Sequence, residues 1–156
     1  MISMCFEVPG PASPGSVTWE RVRGRDAASL TDTDLRYRLF LVHVEFTVDG
    51  VEVIWKGRWI TLVDLCLGLT GVVSQVKAGA PSAFGYTEHE EVIHVVPEGG
   101  RVVLTSSMKS WRVDADAGEL VAACTRFVDT AYARLVAEHP DLTRNAVMRR
   151  FAPGWN

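Results

Sequence analysis

An Asp-Gly pair between two runs of alternating apolar and polar residues constrains this chain more than any other feature. On one side Val42, Val44, Phe46 and Val48 alternate with His43, Glu45 and Thr47, and on the other Val51-Glu-Val-Ile-Trp55 resumes directly after Gly50. A two-residue turn of this kind needs positive φ at both positions, which Asp and Gly tolerate, and its twist matches that of the flanking strands. The segment is therefore read as an antiparallel hairpin whose first strand, taken over Leu35–Val48, has one apolar and one wet face.

The period then changes. Leu62, Leu65, Cys66, Leu69, Val72, Val73 and Val76 recur at spacings of three and four, so a helix follows the hairpin, with Thr61 as its N-cap, Asp64 in its first turn, and Gly79 and Pro81 at its end. Ser82–Thr87, Glu91–Val96 and Arg101–Ser106 read as further strands, with Pro97-Glu-Gly-Gly100 as a turn and Trp111-Arg-Val113 as a short addition. Asp116 and Glu119 have the spacing of a capping box, and the helix behind them carries Leu120, Cys124, Phe127, Val128, Ala131 and Leu135 on one stripe. Asp141–Phe151 allows a final short helix. The expected fold is α+β, in the order ββ-α-βββ-α: one antiparallel sheet of about five strands with two amphipathic helices on one face. The Pro- and Gly-rich stretch Pro9–Gly15 and the polar run Arg21–Thr33 place residues 1–34 outside this pattern, as an irregular segment with at most one short strand, and residues 35–156 form the single domain.

Composition narrows the function classes. The chain has 156 residues, 47% apolar and 22% charged, which suits one soluble domain with a real core. A net charge of −3 with scattered Lys and Arg argues against nucleic acid as a partner. No run of eighteen uncharged apolar residues and no charged leader is visible, which argues against membrane insertion and export. Cys5, Cys66 and Cys124 are odd in number and far apart, as expected of free thiols in a reducing, cytoplasmic setting.

Catalytic motifs are sparse. His89 and His94 stand five apart, which fits neither the i, i+4 pair of a helical zinc site nor one face of a strand, so no metal and no cofactor are expected. Ser106 and Lys109 have the Ser-x-x-Lys spacing but end a strand and lack the companion motifs of that enzyme class. His43 and Glu45 on one strand face, with Tyr37 nearby, are the only polar groups placed for acid-base chemistry. The one concentration of charge is Glu88, Glu90 and Glu91, with Glu98 expected across the hairpin. Such a run is commonly a solvated face and otherwise a patch that steers a basic partner. Trp59 and Trp111 lie at element ends, where tryptophan serves as core filler or as interface anchor.

The hairpin Val48-Asp-Gly-Val-Glu-Val53, the helix start Leu62-Val-Asp-Leu65, the strand Phe84-Gly-Tyr-Thr-Glu88, the Trp111 turn and the long last helix resemble small single-domain proteins of GC-rich bacteria, some of which look like immunity proteins of contact-dependent toxin systems. The resemblance spans Leu35–Phe151 and carries over no catalytic residue. It implies a cytoplasmic inhibitor that binds a toxin domain through an acidic face. The leading expectation is thus a non-catalytic, immunity-type binding domain that takes a basic protein partner through Glu88, Glu90, Glu91, Glu98, Trp59 and Trp111. The alternative is a small-molecule site or small enzyme with a pocket between sheet and helices, using His43, Glu45 and Tyr37. A homodimer through an exposed strand edge is compatible with either.

Overall fold

A computed structural model describes all residues, Met1–Asn156. Its elements are β1 (Ile2–Glu7), α1 (Ser16–Glu20), a 3₁₀ turn (Ala27–Ser29), α2 (Asp32–Tyr37), β2 (Leu41–Val48), β3 (Val51–Ile54), β4 (Trp59–Thr61), α3 (Leu62–Lys77), β5 (Ser82–Tyr86), β6 (His89–Glu98), β7 (Arg101–Ser106), β8 (Arg112–Asp116), α4 (Ala117–Glu138) and two 3₁₀ turns, Pro140–Arg144 and Met148–Phe151. The class is α+β. No helix is long and apolar enough to cross a membrane.

The hairpin forms at Asp49 and Gly50, at φ 47° and 82°. Val42, Val44, Phe46 and Val48 are all fully buried, so the alternation sets the inward face of β2. In place of one sheet of about five strands there are two antiparallel sheets of four. In the first, β1 pairs along one edge of β2 while β3 and β4 share its other edge, β3 at Phe46–Val48 and β4 at Leu41–His43. Trp55–Arg58 bulges out between β3 and β4, with the Trp55 ring folded over Gly57, where a Cβ would lie 2.4 Å from the indole. The second sheet is the meander β5-β6-β7-β8. One core of 42 residues spans both sheets and the helices, and the Phe46 and Phe84 rings meet across it at 6.3 Å.

The first strand starts later than the sequence suggests. Leu35–Tyr37 belongs to α2, which Thr31 caps by accepting from the Asp34 amide and which carries Asp32 and Asp34 in its first turn. The chain then turns at Phe40, a non-glycine residue at φ 59°, whose ring lies 4.9 Å from that of Trp19 and 5.8 Å from that of His139. Residues 1–34 are built into the fold: β1 supplies a full strand, and Trp19, Val22, Ala27 and Leu30 are buried in the common core, so the boundary at 35 falls inside α2.

Two capping expectations change in detail. Thr61 occupies the N-cap of α3, but its hydroxyl makes no capping bond and is buried without a partner. Asp116 does cap α4, accepting from the Glu119 amide at 2.9 Å, yet the Glu119 carboxylate does not close the box. It accepts instead from the Ile2 amide at 2.9 Å, tying β1 to the start of α4. Residues 141–151 form two 3₁₀ turns rather than a helix because Asn145 between them is extended and buried. Its side-chain amide donates to the carbonyls of Ala27 and Leu30 at 3.1 and 2.9 Å, and its side-chain oxygen accepts from the Val147 amide at 2.9 Å. Asn145→Ala should cost about 3 kcal/mol, since buried backbone groups would be left without partners, and urea unfolding monitored by tryptophan fluorescence measures it.

Candidate functional site

The acidic run does not form a patch. Glu91 alternates with Ile93 and Val95 on the inward face of β6, and its side chain is fully buried. Arg58, on the Trp55–Arg58 bulge of the other sheet, places its guanidinium 3.1 Å from one Glu91 oxygen, to which the Tyr86 hydroxyl also donates at 3.1 Å. The Ser106 hydroxyl donates to the second oxygen at 2.6 Å, with the Lys109 ammonium 4.0 Å away. Arg58 also lies over the Tyr86 ring at 5.1 Å. Burial alone would raise the Glu91 carboxyl, but hydrogen bonds from Ser106, Arg58 and Tyr86 outweigh it and hold the group below its ordinary value. Burial, with Glu91 adding to it, pushes the Tyr86 hydroxyl up. Both residues stay in one charge state across neutral pH and tie the two sheets together.

Glu91 is therefore no contact residue for a partner. Glu88 is exposed, but its carboxylate accepts from the Thr61 amide at 3.1 Å, where α3 begins. Glu90 is exposed. Glu98 is not across a hairpin from these residues; it ends the same strand, eight residues or ~26 Å from Glu90, and pairs loosely with Arg112 at 3.8 Å. Trp111 is half-buried against the core with its indole N–H inside and unpartnered. Trp59 packs against His43 with ring centroids 3.6 Å apart and planes tilted by 34°, and crowds Gly15, where a Cβ would meet its ring at 2.7 Å.

The second set of candidates is also separated. His43 and Glu45 share the outward face of β2 opposite Glu7 and Cys5 of β1, and line a shallow hollow of about 410 Å³ closed by Lys56 and Gly57. Tyr37 is on α2, half-exposed under the Arg36 guanidinium, and takes no part in that hollow. The His43 ring is held by Trp59, its Nδ1 buried without a partner. Burial and the carboxylates of Glu45 and Glu7 push the Cys5 thiol up, which keeps it protonated and a poor nucleophile. Burial likewise pushes Cys124 up to about 12 and raises Cys66. No group of three or more His, Cys, Asp or Glu side chains is arranged to hold a metal ion. The space between sheets and helices is filled by the apolar core.

The largest change from the sequence reading is at β1. Its partner β2 takes one edge, and the Met1 carbonyl accepts from Asp49 while the Ile2 amide turns away from β2 to Glu119. Backbone groups alternate in direction along a paired strand, so Met4 and Phe6 also turn their amides and carbonyls outward, and nothing in the chain pairs with them. Beside this free edge runs a groove of about 480 Å³, floored by Met4, Phe6, Val8 and Phe127 and walled on α4 by Arg126, Thr130 and Arg134. The signal was present in the sequence as Ile2, Met4, Phe6 and Val8 alternating with Ser3, Cys5 and Glu7, and as Arg126, Thr130 and Arg134 at intervals of four. Nothing in the sequence said that the two would lie side by side.

No protein-family model, curated protein or solved structure matches this chain.

The Glu91 tie has a measurable weight. Glu91→Ala leaves Arg58 buried without its counter-charge and should cost about 3–5 kcal/mol, whereas Glu91→Leu combined with Arg58→Met should restore most of the loss, read from urea midpoints as a double-mutant cycle. Because the folded-state carboxyl lies below its ordinary value of 4.5, this contribution is fully present above that pH and is lost as pH falls through the folded value. In Glu91→Gln the stability profile below pH 5 should accordingly be flatter, by thermal melts, than in the parent.

Proposed function

We propose that this chain is a non-catalytic protein-binding domain that takes an extended segment of its partner as an added strand along β1. An immunity-type inhibitor would be one such binder. The observation that carries the reading is the free edge of β1: two outward amide and carbonyl pairs, at Met4 and Phe6, beside an apolar groove that no part of the chain covers. Exposed strand edges are ready templates for pairing, and natural proteins commonly blunt them with charge, proline or a covering element. Here only the two ends are limited, by Glu119 on the Ile2 amide and by the end of β1 at Glu7. Between them the edge matches the strand-addition mode, in which main-chain hydrogen bonds give affinity and alternate side chains give selectivity.

Selection of short random peptides by display on the full chain, followed by amide hydrogen exchange with an enriched peptide bound, tests this. The expected result is slowed exchange at Met4 and Phe6. No enrichment, or protection confined to other elements, would overturn it.

A further inference from the structure

Resting on strand addition at β1, we propose that the segment it takes is acidic on one face, with two carboxylates four residues apart that meet Arg126 and Arg134 of α4. The geometry that points there is a match of two repeats. β1 and α4 run side by side in the same direction: Ile2 is bonded to Glu119 at one end, and the Phe6 and Phe127 rings pack edge to face at 5.5 Å further along. Four strand residues advance ~13 Å. The eight helix residues from Glu119 to Phe127 advance ~12 Å. Strand and helix therefore stay in step, two helix residues to each strand residue. The eight residues from Arg126 to Arg134 are again matched by four on any strand laid along β1.

Alternation then decides which side chains do the reading. Residues i, i+2 and i+4 of an added strand share one face, and the face continuing Ile2, Met4 and Phe6 looks toward α4. Position i falls at Arg126 abreast of Phe6, i+2 falls at Thr130 near Val8, which suits an apolar residue, and i+4 falls at Arg134, where the added strand runs on past the end of β1 at Glu7. Positions i+1 and i+3 continue the outward face of Ser3, Cys5 and Glu7 and meet solvent. Charge agrees with this register. Arg126 is exposed and forms no ion pair, Arg134 has only the exposed Glu138 at 3.1 Å, and no carboxylate lines the groove. A guanidinium fork suits a carboxylate bidentately. The local basic wall stands on a chain of net charge −3, so the attraction is specific to this edge. A second copy of this chain meets the need poorly, because the inward face of its own β1 offers Ile2, Met4 and Phe6 and no carboxylate.

The test uses three labelled peptides on the full chain by fluorescence anisotropy at low and high salt. One repeats Glu-Thr-Val-Thr-Glu, one shifts the second Glu to i+3 so that the carboxylates face opposite ways, and one carries Gln for both Glu. The first should bind about tenfold or more tighter than the others and weaken with salt. Arg126→Glu with Arg134→Glu, both exposed and with folding checked by circular dichroism, should abolish that preference. Equal affinity for all three, with Met4 and Phe6 amides still protected, would overturn the acidic register and leave strand addition standing. Absence of binding and of protection with every peptide would overturn both. Equal displacement of the first peptide by inorganic phosphate would reduce the arginines to a general anion site and overturn the spacing. A dimer in light scattering that the arginine variants dissolve would assign the edge to a second copy instead.

Discussion

A helix that is apolar over most of its circumference has to be covered over most of it, and α3 is such a helix. Leu62, Val63, Leu65, Cys66, Leu67, Leu69, Val72, Val73 and Val76 are all buried, and only a narrow stripe through Gly71, Ser74, Gln75 and Lys77 meets water. A helix with one narrow apolar stripe could lie on one sheet and show the rest of its surface to solvent. This one packs against α4 along one flank, β5 along another, and also against α2 and the C-terminal 3₁₀ turn. Each large side chain so buried contributes about 1.5–3 kcal/mol, so the covering elements are held by what they hide. Wide coverage of this kind draws on strands of both sheets, β4 before the helix and β5 and β6 after it. It also explains why residues 1–34 and 140–151, which look peripheral in sequence, are structural: both complete the enclosure, and Asn145 stitches them to one another.

The two sheets share one buried charged point, beside the outer bond from the Thr61 amide to Glu88. Arg58 reaches across from the bulge between β3 and β4 to Glu91, and Tyr86, Ser106 and Lys109 complete the carboxylate's partners. A charge pair with this many partners contributes less to net stability than to uniqueness of arrangement, since any other packing of the sheets would leave a buried charge alone. Its consequence for function is subtractive. The acid that looked like the middle of an interaction surface is spent inside the protein, and the remaining acids, Glu88, Glu90 and Glu98, are divided between the two ends of β6. What the surface offers a partner is of the opposite kind: a strand edge with open backbone groups, an apolar floor and arginines along its wall.

Local pattern was enough for most of the elements. The alternation around Asp49 and Gly50 set the hairpin and the inward face of β2, and the three-and-four spacing set both long helices with the residues they bury, because side-chain direction follows backbone period without reference to the rest of the chain. Glu91 was legible by the same rule, two residues before Ile93 and four before Val95; reading it with its neighbours Glu88 and Glu90 as a charge run hid the alternation. Tyr37 was misplaced for a related reason, since the Thr31 cap that starts α2 lies in a stretch whose polarity resembles a loop.

The sequence by itself thus determined which faces of which segments are apolar, and with them the hairpin, the helices and the α+β class. Tertiary structure alone decided how those faces are shared out: two sheets in place of one, Arg58 carried to Glu91 at a sequence separation of 33, and β1 laid beside α4 with its outer edge free. The physical reason is range. Backbone period acts over a turn or a pleat, whereas the partner of a buried charge or the occupant of a strand edge is selected by which distant surfaces must meet to close the core around α3.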